Sequence, residues 1–210
     1  MTDRSRQPLS SRKQPKQARS AGLVATILEA AVQVLRSEGA PRFTTARVAE
    51  RAGVSIGSVY QYFPNKASIL FRLQSDEWRQ TAELRRIILE DVQRPPLERL
   101  RAMVHAFIRS ECDEAEVRVA LNDSAPLYRG APEAQEARAS REGTVEAFMK
   151  AALPDAPEAT RALAGDLIVT TLSAVGKNFS QIPKTSLEID LFADAIADMF
   201  CAYLNSLARV

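Results

Sequence analysis

The sequence has little of what catalytic and metal sites are usually built from. It holds one histidine, His105, and two cysteines, Cys112 and Cys201, which are far apart and lack metal-ligand spacing. A multi-histidine metal centre and a disulfide framework are excluded, and two unpaired thiols point to a reducing compartment. No glycine-rich phosphate loop, cysteine cluster or nucleophile elbow occurs. Carboxylates are plentiful but scattered at the spacing of solvated helix faces. No catalytic residue, metal ligand or cofactor is therefore expected. No apolar run is long enough to span a bilayer, and the first twenty residues are polar and basic rather than leader-like. The expectation is a cytoplasmic protein without a membrane segment. Strand-like alternation and internal repeats are also missing.

What is present is an ordinary globular composition in 210 residues, with 46% hydrophobic and 26% charged residues. The net charge of +2 conceals an asymmetry. Up to Lys66 there are 11 Lys/Arg against 4 Asp/Glu, a net of +7; beyond it 17 stand against 22, a net of −5. A basic first part on an acidic body suits a polyanionic partner for the first part alone, or a solubilising tail.

Helical periodicity runs almost throughout. Residues 1–18 form a basic arm rich in Ser, Gln and Pro that buries little and is expected to be flexible. Its basic residues, with the next one along, are Arg4, Arg6, Arg12, Lys13, Lys16 and Arg19. From Ala21 a stripe of Leu23, Ile27, Ala30, Ala31, Val34 and Leu35 predicts a helix stopped by Gly39. Two short helices follow. Thr44 or Thr45 caps the first, which ends at Gly53; Ser55 caps the second, which runs to about Tyr62. Pro64 breaks the chain, and Asn65 caps a long helix reaching towards Pro95-Pro96. Further helices are predicted after Pro96, from Glu114 to about Leu127, after Pro132, and in two strongly apolar segments at the C-terminal end. The fold class is all-α, with a helix-turn-helix module over 19–66 and a larger helical domain over 67–210.

The informative stretch is Thr44 to Lys66. Ala49 and Ala52 are small enough for two helices to cross closely, Gly53 can take the positive φ that ends the first, and Val54 plugs the corner. Ser55 leaves the second helix open to a groove. That helix is too short and polar for a core element. It offers Ser58, Tyr60, Gln61 and Tyr62 to phosphates or base edges, and Ile56 to a thymine methyl. The geometry is that of a helix-turn-helix.

The stretch resembles the TetR family of bacterial regulators. The shared elements are Thr44/Thr45, Ala52-Gly53-Val54-Ser55, Gly57, Tyr60-Gln61-Tyr62-Phe63 and Lys66, with Val48-Ala49 where the family usually has Ile-Ala. The resemblance implies that Ser55 to Tyr62 is the recognition helix. It implies that Tyr60 and Tyr62 touch DNA backbone or bases, that Lys66 and Thr45 contact phosphates, and that Phe63 packs inward. It further implies a homodimer on double-stranded operator DNA, repression as the default outcome, and a small-molecule effector whose binding shifts the long fourth helix. The arm either reaches the neighbouring minor groove or remains a solvated tail.

The rest of the chain matches the family only in length and helical character. The two C-terminal helices carry apolar stripes wider than one internal face needs, and Ala164, Gly165, Ala174 and Gly176 permit close approach. They are expected to pair with a second copy, with Leu191 and Phe200 in the interface. Trp78, His105, Phe107, Asn122, Asp123, Phe148, Asn178 and Phe179 are aromatic or polar residues set among apolar ones in the helices expected to surround a ligand cavity. The scarcity of buried charge points to a moderately apolar ligand. The alternatives are a helical ligand-binding or interaction module with a vestigial helix-turn-helix, or an activator.

Overall fold

The computed structural model describes the backbone of residues 18–124 and 130–208, and the side chains of residues 20–119, 121 and 130–208. Arg4, Arg6, Arg12, Lys13 and Lys16 of the arm lie outside the described residues, as do the side chains of Arg19, Asn122 and Asp123. Among the described residues every regular element is helical. The order is α1 (Ala18–Glu38), a 3-10 turn (Ala40–Arg42), α2 (Thr45–Ala52), α3 (Ile56–Tyr62), α4 (Lys66–Leu89), α5 (Pro96–Asp113), α6 (Ala115–Ser124), α7 (Pro132–Ala152), α8 (Glu158–Phe179) and α9 (Ser186–Leu207). None is long and apolar enough to cross a membrane.

The described residues form two compact units. One holds those up to Trp78 and those of Glu116–Ala134; the other holds Arg79–Ala115 and those from Gln135 onward. The sequence reading sets its boundary after Lys66, whereas the compact division falls inside α4 and returns α6 to the first unit. The physical reason lies in the packing. Ile69 and Leu70 of α4 and Leu121 of α6 are buried in the same core as α1. Arg118 of α6 also pairs with Glu77 of α4 at 2.9 Å.

The first unit is organised around α1. Ile27, Ala31 and Val34 are fully buried at helical spacing, against Phe43, Val48, Val59 and Phe63. Each large side chain withdrawn from water contributes about 1.5–3 kcal/mol. Phe63 is core, as the resemblance implies.

In the second unit α5 and α9 run antiparallel, with α7 and α8 completing the core. Leu100, Val104 and Ile108 of α5 meet Phe148 and Met149 of α7, Ile168 and Leu172 of α8, and Ala193, Ala197, Phe200 and Leu204 of α9. Two arginines satisfy backbone carbonyls, one at the end of α4 and one in the loop between α7 and α8. Arg99 donates to the Leu89 carbonyl oxygen at 2.8 Å, and Arg161 to that of Ala156 at 2.8 Å. Helix α9 starts with a reciprocal cap: Glu188 N–H donates to the Thr185 hydroxyl, and the Thr185 N–H donates back to the Glu188 carboxylate. Those bonds from Thr185 hold the Glu188 carboxyl below its ordinary pKa.

Two interface expectations are corrected in this unit. Phe200 is 3% exposed and belongs to the internal core. The small residues of α8 also serve packing within the chain. A Cβ on Gly165 would sit 3.0 Å from Val145 of α7, and one on Gly176 would sit 2.8 Å from the Phe107 ring of α5. Ala164 is fully buried, and of this set Ala174 is exposed.

Along the outer edge of the α5–α9 contact lies a ladder of charges that sequence reading missed. Arg101 pairs with Asp198 and, at 3.3 Å, with Asp194; His105 Nε2 lies 3.0 Å from the same Asp194 oxygen; Arg109 reaches Asp190. Spacing of four on both helices was the available signal, since residues 101, 105, 109 and 190, 194, 198 each share one face. All these side chains are substantially exposed, so each pair contributes only about 0.2–1 kcal/mol. A double-mutant cycle on Arg101→Ala and Asp198→Ala is expected to return a coupling in that range that shrinks in high salt. A coupling indifferent to salt would mean that the long side chains act by packing instead.

Candidate nucleic-acid interface

The site is built by caps that fix two short helices. Thr44 has extended backbone, and its hydroxyl accepts from the Arg47 N–H at 3.2 Å. Gly53 ends α2 in the left-handed region, at φ 67°, where a residue with a Cβ is strained by about 1–2 kcal/mol. Ser55 caps α3 by accepting from the Ser58 N–H at 3.1 Å, and its hydroxyl also lies 2.8 Å from that of Ser58. Between the helices, Val54 N–H donates to the Ala49 carbonyl oxygen at 3.0 Å. Ala49 is buried, and Ala52 and Val54 are half-buried against the core of the unit. The close crossing that small residues permit is thus realised.

Helix α3 divides sharply into faces. Val59 and Tyr62 are buried, whereas Ile56, Gly57, Tyr60 and Gln61 are exposed. Positions 56 and 60, and 57 and 61, stand one turn apart, so the four make one continuous strip. Thr44 and Ser55 are exposed, and Thr45 and Ser58 half-buried, beside it. The Thr45 hydroxyl lies 3.2 Å from the Tyr60 hydroxyl. This bond ties the start of α2 to the outer face of α3, a link the sequence did not reveal. Lys66 is exposed in the first turn of α4. Asn65 caps that helix, its carboxamide oxygen accepting from the Ser68 N–H at 2.9 Å. A cation in the first turn adds to the positive end of the helix dipole, an arrangement suited to a phosphate.

One position departs from expectation. Tyr62, read from the sequence as outward-facing, is 6% exposed and sits in the core. It stands three residues after Val59 and shares its buried face, so the helical period overrides its polar tip.

The eight residues proposed from the sequence for a ligand cavity fall in different surroundings. Trp78 is half-buried and lies in the first unit. The other described ones lie in the second. Phe148 is core, and Phe107 packs half-buried at Gly176. Phe179 stacks on Phe192 with ring centroids 3.9 Å apart, beneath the Lys184 ammonium. Asn178 is exposed on α8, and His105 belongs to the charge ladder. Asn122 and Asp123 have side chains outside the described residues.

The outer faces of α8 and α9 carry large apolar side chains in the open. Leu163 and Leu167 of α8 are exposed one turn apart, and Leu187, Leu191 and Met199 of α9 stand on one stripe with exposed Ala195 between them.

Comparison with known proteins agrees with this geometry. Residues 27–73 match the model described as "Bacterial regulatory proteins, tetR family", and residues 95–207 match the "Tetracyclin repressor-like, C-terminal domain". A curated relative, the nucleoid occlusion factor SlmA of Vibrio campbellii, is 41% identical over 85 residues, which is 39% of this chain and 42% of that protein. The match thus spans well under half of that relative. Among solved structures, the TetR-family transcriptional regulator PfmR of Thermus thermophilus superposes with a TM-score of 0.64 at 20% identity, covering 83% of this chain and 96% of that one. The regulator FadR of Bacillus subtilis, solved with stearoyl-CoA, has a TM-score of 0.64 at 16% identity, covering 84% and 96%. At these identities the structural likeness is one of fold. The two family matches together cover most of the chain, and the protein belongs to the TetR family of bacterial transcriptional regulators.

Proposed function

We propose that the chain is a cytoplasmic, ligand-responsive repressor that binds a palindromic operator as a homodimer and is released or modulated by a small molecule. The observation that carries this reading is the exposed strip on α3. A seven-residue helix, capped and tied by hydroxyl bonds, holds Ile56, Gly57, Tyr60 and Gln61 in the open beside Thr45, with Lys66 exposed at the start of the next helix. Tyr60, Gln61, Ser55 and Ser58 supply hydrogen bonds to phosphates and base edges; Thr44, Thr45 and Lys66 supply anchoring to the backbone. The net +7 of the first 66 residues adds the long-range attraction.

One such helix reads only a few base pairs, so two copies about 34 Å apart are needed for useful specificity. The apolar stripes of α8 and α9 support dimerisation through those helices. The effector reading draws on the FadR complex, solved with stearoyl-CoA, and on the half-buried aromatic residues Phe107 and Phe179 of the second unit. An apolar or acyl-bearing compound fits that character.

The test is selection of binding sites from random duplex DNA by the purified full chain. An enriched inverted repeat supports the reading. No enrichment at any salt concentration overturns it and leaves an interaction module with a silent helix-turn-helix. Within the selected site, Lys66→Ala is expected to weaken binding uniformly across sequences and to reduce the salt slope by about 1 per subunit. Tyr60→Ala is expected to weaken binding with no change in helicity or oligomeric state. Loss of the fold in either variant would make these residues structural. The identity to SlmA favours a second reading, a DNA-bound factor in nucleoid occlusion. Enriched sites spread along the chromosome rather than set at promoters would select it.

A further inference from the structure

On α3 the residues that exclude water and the residue that leaves room lie side by side. Among the described residues up to Trp78, the large hydrophobics left exposed are Ile56, at 40%, and Tyr60, at 43%. Every other large apolar side chain of that stretch is at least partly withdrawn from water. Ile56 carries no donor or acceptor. Its exposure gains nothing for the isolated fold, and its branched side chain loses rotamer freedom in a helix.

The neighbour, Gly57, has no reason within the chain to be glycine. Its φ is not positive, and a Cβ built on it would meet only the Ser55 hydroxyl oxygen, at 3.7 Å, an ordinary contact. Glycine in a helix costs about 0.5–1 kcal/mol relative to alanine, and here no internal close approach offsets that. The contrast with Gly176 is direct, since there a Cβ would sit 2.8 Å from the Phe107 ring.

We propose that Ile56 and the bare backbone of Gly57 form an apolar reading edge that selects thymine in each half-site through its C5-methyl group. This rests on the DNA-binding reading above. In the major groove only thymine among the four bases presents a methyl, and an aliphatic side chain recognises it by excluding water rather than by hydrogen bonding. Glycine at 57 lets the helix backbone approach the base edge within the distance a Cβ would occupy. The basic charge of the first 66 residues fits a duplex as the occupant of this face.

The experiment uses the full chain and its selected operator, with each thymine replaced in turn by uracil, which removes the methyl and nothing else. One position per half-site is expected to lose affinity about fourfold singly and about fifteenfold in both half-sites, the worth of one buried methyl group. Ile56→Ala is expected to abolish that sensitivity while still binding. Gly57→Ala is expected to raise Tm by about 1–4 °C and yet to weaken operator binding, a split that no folding defect produces. A selected operator indifferent to uracil at every position overturns the inference and leaves the DNA-binding reading standing. So does a uracil penalty retained by Ile56→Ala, or Gly57→Ala binding as tightly as the parent. Failure to select any site overturns both.

Discussion

Replacing Leu191 by arginine is expected to leave a folded, helical monomer that no longer holds its operator. Leu191 is 61% exposed, so its loss removes little from the internal core. It lies on α9 between Leu187 and Met199, within the stripe proposed to meet a second copy. In a twofold interface one substitution acts twice, and each introduced cation is buried in an apolar contact without a partner. The monomer keeps its α3 but reads one half-site. Operator affinity is then expected to drop towards the non-specific level, at least about 10³-fold. Sedimentation or light scattering decides the matter, with circular dichroism recording the fold. A variant that remains dimeric would place the interface elsewhere on the molecule.

Phe200→Ala, nine residues further along the same helix, is expected to do the opposite. Its ring is 3% exposed, among Val104, Ile108 and the other core residues of the second unit. Truncating such a ring costs about 3–5 kcal/mol, set against a total stability of about 5–15 kcal/mol for an ordinary domain. A large fall in the denaturation midpoint is expected, with whatever remains folded still dimeric. Leu191→Ala leaves the internal core intact, so its effect on the midpoint should come through the dimer and grow as the protein is diluted. A midpoint insensitive to Phe200→Ala would contradict the core described above.

The pair shows where sequence reading succeeds and where it stops. Helical periodicity identifies α9 as apolar on more than one face, and both residues are read from it as interface. Period alone cannot say which apolar face meets α5 of the same chain and which is left over. That depends on partners a hundred residues away, such as Leu100 and Val104. The same limit applies to Gly165 and Gly176, whose small size is legible but whose neighbours, Val145 and Phe107, are not. Local grammar fares better. Thr44, Gly53, Ser55 and Asn65 act within three or four residues of themselves, and each occupies the capping or turning position that its chemistry predicts. The polar tip of Tyr62 suggests an outward side chain, but its period from Val59 sets it on the buried face. The Thr45–Tyr60 hydroxyl bond spans two elements and left no signal in either. Residues for a ligand cavity were the least legible, since an aromatic among aliphatics looks the same whether it lines a cavity or fills a core, as Phe148 does.

The charge ladder between α5 and α9 bears on how the second unit can move. Its rungs recur every four residues on both helices, a repeat of about 6 Å along the axis. Sliding α9 by less than that sets carboxylates against the gaps between cations. Sliding it by one full turn towards the start of α5 re-forms two of the three rungs, with Asp194 on Arg101 and Asp190 on His105, and strands Arg109 and Asp198. Arg101 already touches both Asp194 and Asp198, so one tooth of the new register is engaged before any motion begins. At about 0.2–1 kcal/mol a rung, the ladder favours registers a whole turn apart, and the buried Ala193, Ala197 and Phe200 fix which of them is held.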